Sequence, residues 1–191
     1  IKTKAQRRAV MKRIMVLNGS SRPNAFTDAL IRSFKAGAES QGHEVDVMEL
    51  RSMHIHPCIG CLHGGKDFDK PCTQSDDMDR IYSLYRKSDV IVFATPLFFW
   101  SYSGLLKNAM DRMWALAECN HDTLHGNNKS GALLTAAGGS HPEQLLMHFD
   151  YLMTRLSWTN IGKVVLEHTD DLDIHNIAPN AEAFDLGASI C

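Results

Sequence analysis

The sequence predicts an α/β domain in which a parallel β-sheet is covered by helices on both faces. Three observations carry this expectation. Short apolar runs rich in β-branched residues alternate with segments whose apolar residues recur every three or four positions. Two of the short runs, "DVIVFATP" and "GALLTAAGG", are apolar almost throughout, as strands buried on both faces are. The length, 191 residues, suits one domain with a core of its own.

The elements follow in order. "RIMVLNG" is the first strand and ends at Gly19. Phe26, Leu30, Phe34 and Ala38 then mark one helical face, and Gly42 closes that helix as a residue after the C-cap would. "HEVDVMEL" alternates Val45 and Val47 with charges, the pattern of a half-exposed second strand. After a long connection, "DDMDRIYSLYRK" is a helix and "DVIVFATP" the third strand. Leu105, Leu106, Ala109, Met113 and Leu116 mark the next helix, and "GALLTAAGG" is the fourth strand. Ser140-His141-Pro142-Glu143 has the S-x-x-E form of a capping box, with proline inside the first turn. Leu145, Phe149, Leu152 and Leu156 continue that helix, and "GKVVLEHT" is the fifth strand. Beyond Thr169 the periodicity is too weak to assign an element. Strand–helix alternation implies right-handed crossovers. Five strands so connected suit a flavodoxin-like three-layer sandwich with a parallel sheet of order 2-1-3-4-5.

Composition narrows the function classes. A formal net charge of −2 argues against a nucleic-acid footprint, which needs a strongly basic surface. No run of 18 apolar residues is present, so a membrane span is not expected. Residues 1–10, "IKTKAQRRAV", are basic without the apolar stretch of a signal peptide. They are read as a leader before a natural start at Met11, leaving residues 11–191 as a single domain. Five unevenly spaced cysteines do not suggest a secreted disulfide framework, so a reducing cytoplasm is the expected setting.

In open parallel sheets, ligands bind beyond the carboxyl ends of the strands where the strand order reverses, here between strands 1 and 3. That selects residues 19–27, 95–103 and 137–142. In the first loop, "NGSSRPNAFTDAL", Gly19 permits a sharp turn, and Ser20, Ser21, Asn24, Thr27 and Arg22 supply polar groups. They precede a helix N-terminus, a ready anion cradle suited to a phosphate monoester; a plain polar turn with an ordinary cap is the alternative. The second loop places Pro96, Phe98, Phe99, Trp100 and Tyr102 at the end of a buried strand. Such aromatics suit a flat ring or a neighbouring subunit, and the two can coexist. In the third loop Gly138 and Gly139 would let a ring or sugar approach the backbone, or form a simple turn.

Three stretches carry a resemblance. "GSSRPNAFTDAL" looks like a phosphate loop of G-S-x-R form, "SDVIVFATPLFFWSYSGLLKNAMDR" is similar to a flavin loop followed by S-G-x-x-K and D-R, and "CIGCLHGG…PCTQSDDM" looks like a cysteine loop. Over about Lys12 to Val165 the chain resembles the NAD(P)H-dependent FMN reductase family of flavodoxin-like proteins, with their iron–sulfur flavoprotein relatives. The resemblance implies an FMN-binding oxidoreductase in which Ser20, Arg22 and Thr27 hold the phosphate. Pro96, Leu97, Phe98 and Phe99 would line the ring, with Gly138 and Gly139 on its other side. Phe26, also at the site, stands where relatives often carry Asn, and Phe98 and Phe99 where Tyr and Trp are common; the platform stays apolar. Electrons would pass from NADPH or NADH through the flavin to a quinone, free flavin, nitro or azo compound, or metal ion. The flavin does that chemistry itself, so no catalytic side chain is assigned. His141 is a candidate proton donor, though a surface histidine beside a cap explains it as well. A flavin-binding electron carrier or sensor without nicotinamide turnover is the alternative function. Exposed loop aromatics need cover, so a homodimer or homotetramer is expected.

Residues 51–75 form a connection long enough to be functional. Cys58, Cys61 and Cys72, with His54, His56 or His63, could hold zinc, but no second close pair follows. A four-iron cluster, which the relatives suggest, lacks a cysteine near His63 or Gly64, and Cys119 and Cys191 lie far off in sequence. A redox C-x-x-C should open a helix, which Pro57, Gly60, Gly64 and Gly65 oppose. The expectation is a loop that shapes the site without metal.

Overall fold

The computed structural model describes residues 10–118, 122–126 and 128–191. The expected leader therefore lies outside the described residues, apart from exposed Val10. Five strands form one parallel sheet of order β2-β1-β3-β4-β5: β1 Arg13–Asn18, β2 Glu44–Glu49, β3 Val90–Pro96, β4 Ser130–Ala136 and β5 Thr159–Leu166. This is the expected flavodoxin-like order. The helices are α1 Phe26–Ser40, α2 Met78–Lys87, α3 Gly104–Arg112, α4 Glu143–Leu156 and α5 Ala181–Ala188. No helix among the described residues is long and apolar enough to cross a membrane.

Strand alternation explains the continuous apolar runs. In β1, Ile14 and Val16 join the core under α1 and α5, while Met15 and Leu17 join the core under α2, α3 and α4. In β3, Val92 and Ala94 face the first layer and Ile91 and Phe93 the second. A strand covered on both faces has no position where a charge is cheap, so the polar alternation disappears. Edge strand β2 keeps it, burying Val45 between exposed Glu44 and Asp46.

Four details differ from the sequence reading. Helix α3 ends at Arg112 and continues only as a 3-10 turn, Met113–Leu116. The capping box does not form: α4 begins at Glu143, Pro142 is its N-cap, and no side chain caps it. The cause lies at His141, whose left-handed φ of 74° turns the chain and leaves Ser140 outside the helix. Glu143 thereby becomes the first helical residue rather than the third, and its carboxylate stands 3.7 Å from the His141 ring. Gly42 does close α1, with φ of 84°, but β5 starts earlier than expected, at Thr159. The unassigned tail forms α5, which lies so close on α1 that a side chain at Gly37 or Gly187 would strike the other helix's backbone.

Candidate functional site

The registers bring three loops to one edge. Asn18 ends β1 opposite Ala94, and Pro96 ends β3 opposite Ala136. Pairing runs past the strand ends, with Gly19 N–H donating to Ala94 O at 2.8 Å and Leu97 N–H to Ala136 O at 2.8 Å.

The first loop rests on a buried polar network. Asn18 Nδ2 donates to Asp28 Oδ1 (2.7 Å) and Glu49 Oε2 (2.8 Å), while Asn18 Oδ1 accepts from Ser20 N–H (3.0 Å). Asp28 Oδ2 accepts from Asn24 N–H at 2.6 Å, and Arg51 ties Asp28, Glu49 and the Ser20 carbonyl together. Asp28 thus spends its carboxylate on the loop instead of on the helix amides. No side chain caps α1, so its first N–H groups are left to whatever binds there. Ser20 and Thr27 are buried beside them, and Arg22 reaches into solvent.

Ser103 locks the second loop to the first. Its hydroxyl donates to Gly19 O at 2.7 Å and accepts the Leu106 N–H that opens α3. Gly19 has no room for a side chain: a Cβ would lie 2.6 Å from Ser103 Oγ and 2.7 Å from Leu106 Cβ. The loop tip is a tight turn in which Phe98 and Ser101 exchange backbone hydrogen bonds. Phe99 and Trp100 sit at its apex with φ of 50° and 57°, conformations unusual for aromatic residues. Phe99 is 92% exposed, and its ring lies 5.4 Å from that of Trp100.

The third loop is strapped to the chain after β5. Thr169 N–H and Oγ1 both donate to Ala137 O (3.0 Å each), His168 N–H to Gly139 O (3.0 Å), and Asp170 N–H to Gly138 O (3.2 Å). The carboxylate of Asp170 packs over Gly138, where a Cβ would lie 2.5 Å from Oδ2.

Between these loops lies a cleft of about 240 Å³. Eight of the expected residues line it: Ser20, Arg22, Phe26, Thr27, Pro96, Leu97, Phe98 and Gly138. Phe99 and Gly139 stand outside it. Thr169 and Asp170 line it without having been anticipated, because they follow the last strand in a segment with no periodic signal. The cleft is polar and cationic at the α1 end and apolar along Pro96, Leu97 and Phe98. A larger cleft of about 470 Å³ between α3 and α4 is walled mainly by apolar groups such as Phe93, Leu152 and Trp158.

The cysteine loop, residues 53–77, is held from both sides without regular structure. Arg112 donates to His56 O at 2.8 Å and grips both oxygens of Asp76 at 2.6 and 3.3 Å; both side chains are almost fully buried. Burial pushes the Asp76 carboxyl up, but bonds from Arg112 and from the His56 and Met78 amides outweigh it and hold it at about 2. Cys58, Cys61 and Cys72 are free thiols lining one cavity of about 60 Å³ with Arg112 and Glu118. Hydrogen bonds from Thr73 and the His63 amide lower the Cys61 thiol. Gly64 N–H donates to Glu118 Oε2 at 2.7 Å, which closes the space a side chain at position 64 would need. Among the described residues, no group of three or more His, Cys, Asp or Glu side chains could hold a metal ion; Cys119 lies outside them.

Comparison with known proteins places the chain in a family and a fold. The family model described as NADPH-dependent FMN reductase matches residues 12–170. An iron–sulfur flavoprotein of Archaeoglobus fulgidus is 28% identical over 158 residues, covering 81% of this chain and 68% of its own. The putative NAD(P)H-dependent FMN-containing oxidoreductase YwqN of Bacillus subtilis is 27% identical over 169 residues, covering 85% of this chain and 88% of its own. The chain spans only about half to two thirds of the iron–sulfur flavoproteins it matches, from 47% to 68%. In structure, an NAD(P)H:quinone oxidoreductase of Methanothermobacter marburgensis superposes with a TM-score of 0.63 at 12% identity, over 94% of this chain and 92% of its own. The chain belongs to the NADPH-dependent FMN reductase family.

Proposed function

We propose that the chain is an NAD(P)H-dependent oxidoreductase that uses FMN to pass electrons to a small acceptor, as one domain over residues 11–191. The observation that carries this is the cleft itself: an uncapped helix N-terminus with Ser20, Arg22 and Thr27 at one end, and an apolar wall of Pro96, Leu97 and Phe98 at the other. These residues fit FMN. Ser20, Thr27, the α1 amides and Arg22 would hold its phosphate. Pro96, Leu97 and Phe98 would shield its ring, and Gly138 would leave space for close approach. FMN, when bound, supplies the hydride and electron chemistry. The protein's part is to position and shield it.

The acceptor is a quinone, free flavin, nitro or azo compound, or metal ion. An open rim carrying exposed Phe99 and Trp100 supports a flat, diffusible acceptor. The same aromatics support a second copy as cover, giving a homodimer or homotetramer in the cytoplasm. The iron–sulfur relatives raise a cluster in the cysteine loop, but the described residues do not supply the four thiolates it needs. Three thiols line the loop cavity, and of the two positions where a further close cysteine would stand, His63 and Gly64, Gly64 is sealed against Glu118.

The test is an absorbance spectrum of the purified protein with anaerobic NADPH addition. Flavin bands bleached by NADPH, with turnover of a quinone, are expected. Intact flavin without turnover would favour an electron carrier, and a protein that takes up no FMN would sink the reading.

A further inference from the structure

The cleft carries one feature that phosphate and ring binding leave unused. Among the residues that line it, Asp170 is the one carboxylate and Arg22 the one cation. The Asp170 carboxylate is exposed and has no hydrogen-bond or ion-pair partner among the described residues. Its backbone is nevertheless fixed. The amides of His168, Thr169 and Asp170 all donate to the third loop, and the 3-10 turn Thr169–Asp171 closes on itself through Asp171 N–H to His168 O at 3.1 Å. His168 takes φ of 56° to start that turn, a conformation that costs a non-glycine residue about 1 kcal/mol or more. A strained residue and a three-bond strap thus bring a carboxylate to the rim of the cleft, over a glycine that leaves it room.

We propose that Asp170 is a positioning residue that accepts hydrogen bonds from the hydroxyl-bearing chain of the bound flavin, between its ring and its phosphate. A carboxylate accepts and cannot donate, so it selects a donor. The cationic end of the cleft is occupied by Ser20, Arg22 and the α1 amides, which suit the anion. The apolar wall of Pro96, Leu97 and Phe98 suits the ring. What remains for an acceptor is the polyol joining them. A carboxylate placed beside a phosphate would instead weaken binding by repulsion, so the two locations predict effects of opposite sign. This inference rests on the FMN reading above.

The test titrates the full chain, freed of flavin, with FMN, riboflavin and lumiflavin, which lacks the polyol. Binding is followed by flavin fluorescence for the parent, Asp170→Ala and Arg22→Gln. Asp170→Ala should weaken FMN and riboflavin about tenfold each, the scale of one hydrogen bond to a charged group, and leave lumiflavin unchanged. Arg22→Gln should weaken FMN and spare riboflavin. The Asp170 side chain holds nothing among the described residues, so the melting temperature of the flavin-free variant should match the parent's. Unchanged riboflavin binding in Asp170→Ala, tighter FMN binding, or an equal loss for lumiflavin would each overturn the proposal. A parent that binds no flavin would overturn the FMN reading instead.

Discussion

Replacing Arg112 by Met removes the guanidinium that joins the cysteine loop to α3. In the parent it makes three hydrogen bonds, two to Asp76 and one to His56 O, with the Arg112 and Asp76 side chains 0% and 2% exposed. Methionine fills much of the volume, so the main effect is a buried carboxylate that loses its guanidinium and keeps the His56 and Met78 amides and the His56 ring Nδ1 at 3.2 Å. Breaking one side of such a pair costs about 3–5 kcal/mol. The acid limb gives an independent measure. Asp76 is held at about 2, below its ordinary 3.8, so its stabilisation is complete at neutral pH and is lost as pH falls from about 4 towards 2. That difference corresponds to about 2 kcal/mol. Without Arg112, burial is the stronger influence on this carboxyl, and the limb should shift to higher pH. Urea unfolding at pH 7 and acid unfolding, both followed by circular dichroism, would show both changes. The double variant with Asp76→Asn should recover part of the loss, because it removes the orphaned charge. A single variant within 1 kcal/mol of the parent, with its acid limb unmoved, would refute the clamp.

Three further outcomes follow from local geometry. Gly64→Cys should not create an iron-binding loop; the new side chain must displace Glu118, so the variant should be less stable by about 1–3 kcal/mol in urea, and iron bound stoichiometrically would contradict this. Gly19→Ala should push Ser103 and Leu106 apart from the first loop and weaken FMN binding tenfold or more by fluorescence titration, while a variant that binds normally would show that the loop tolerates the shift. Tyr102→Phe should cost no more than about 0.5 kcal/mol in urea and could raise stability, because its buried hydroxyl has no hydrogen-bond partner among the described residues; a loss above 1 kcal/mol would mean the hydroxyl is bonded in solution.

The parts of the site legible in the sequence share one physical basis. Continuous apolar runs fix buried strands, a buried parallel sheet fixes where loops converge, and loop composition then separates a polar end from an apolar one. Ser20, Thr27 and Pro96 are reached this way without any structure. The supports beneath them are not. Asp28 falls at an ordinary helix-start position, where an acid predicts favourable interaction with the helix amides; here it holds Asn24 N–H and Asn18 instead, leaving those amides free. The signal was present as two polar residues in unlikely places, Asn18 ending an apolar strand and Asp28 buried in a helix, but their pairing across ten residues needs the fold. The failed capping box at Ser140 is the converse case, a local pattern overruled by the turn at His141. Asp170 is the extreme case, since only the strap between two segments 29 to 32 residues apart brings it to the cleft. A motif records side chains that touch a ligand along one stretch of chain. A positioning residue delivered by backbone hydrogen bonds from a distant segment leaves no such pattern, because the amides that deliver it are common to every residue type except proline.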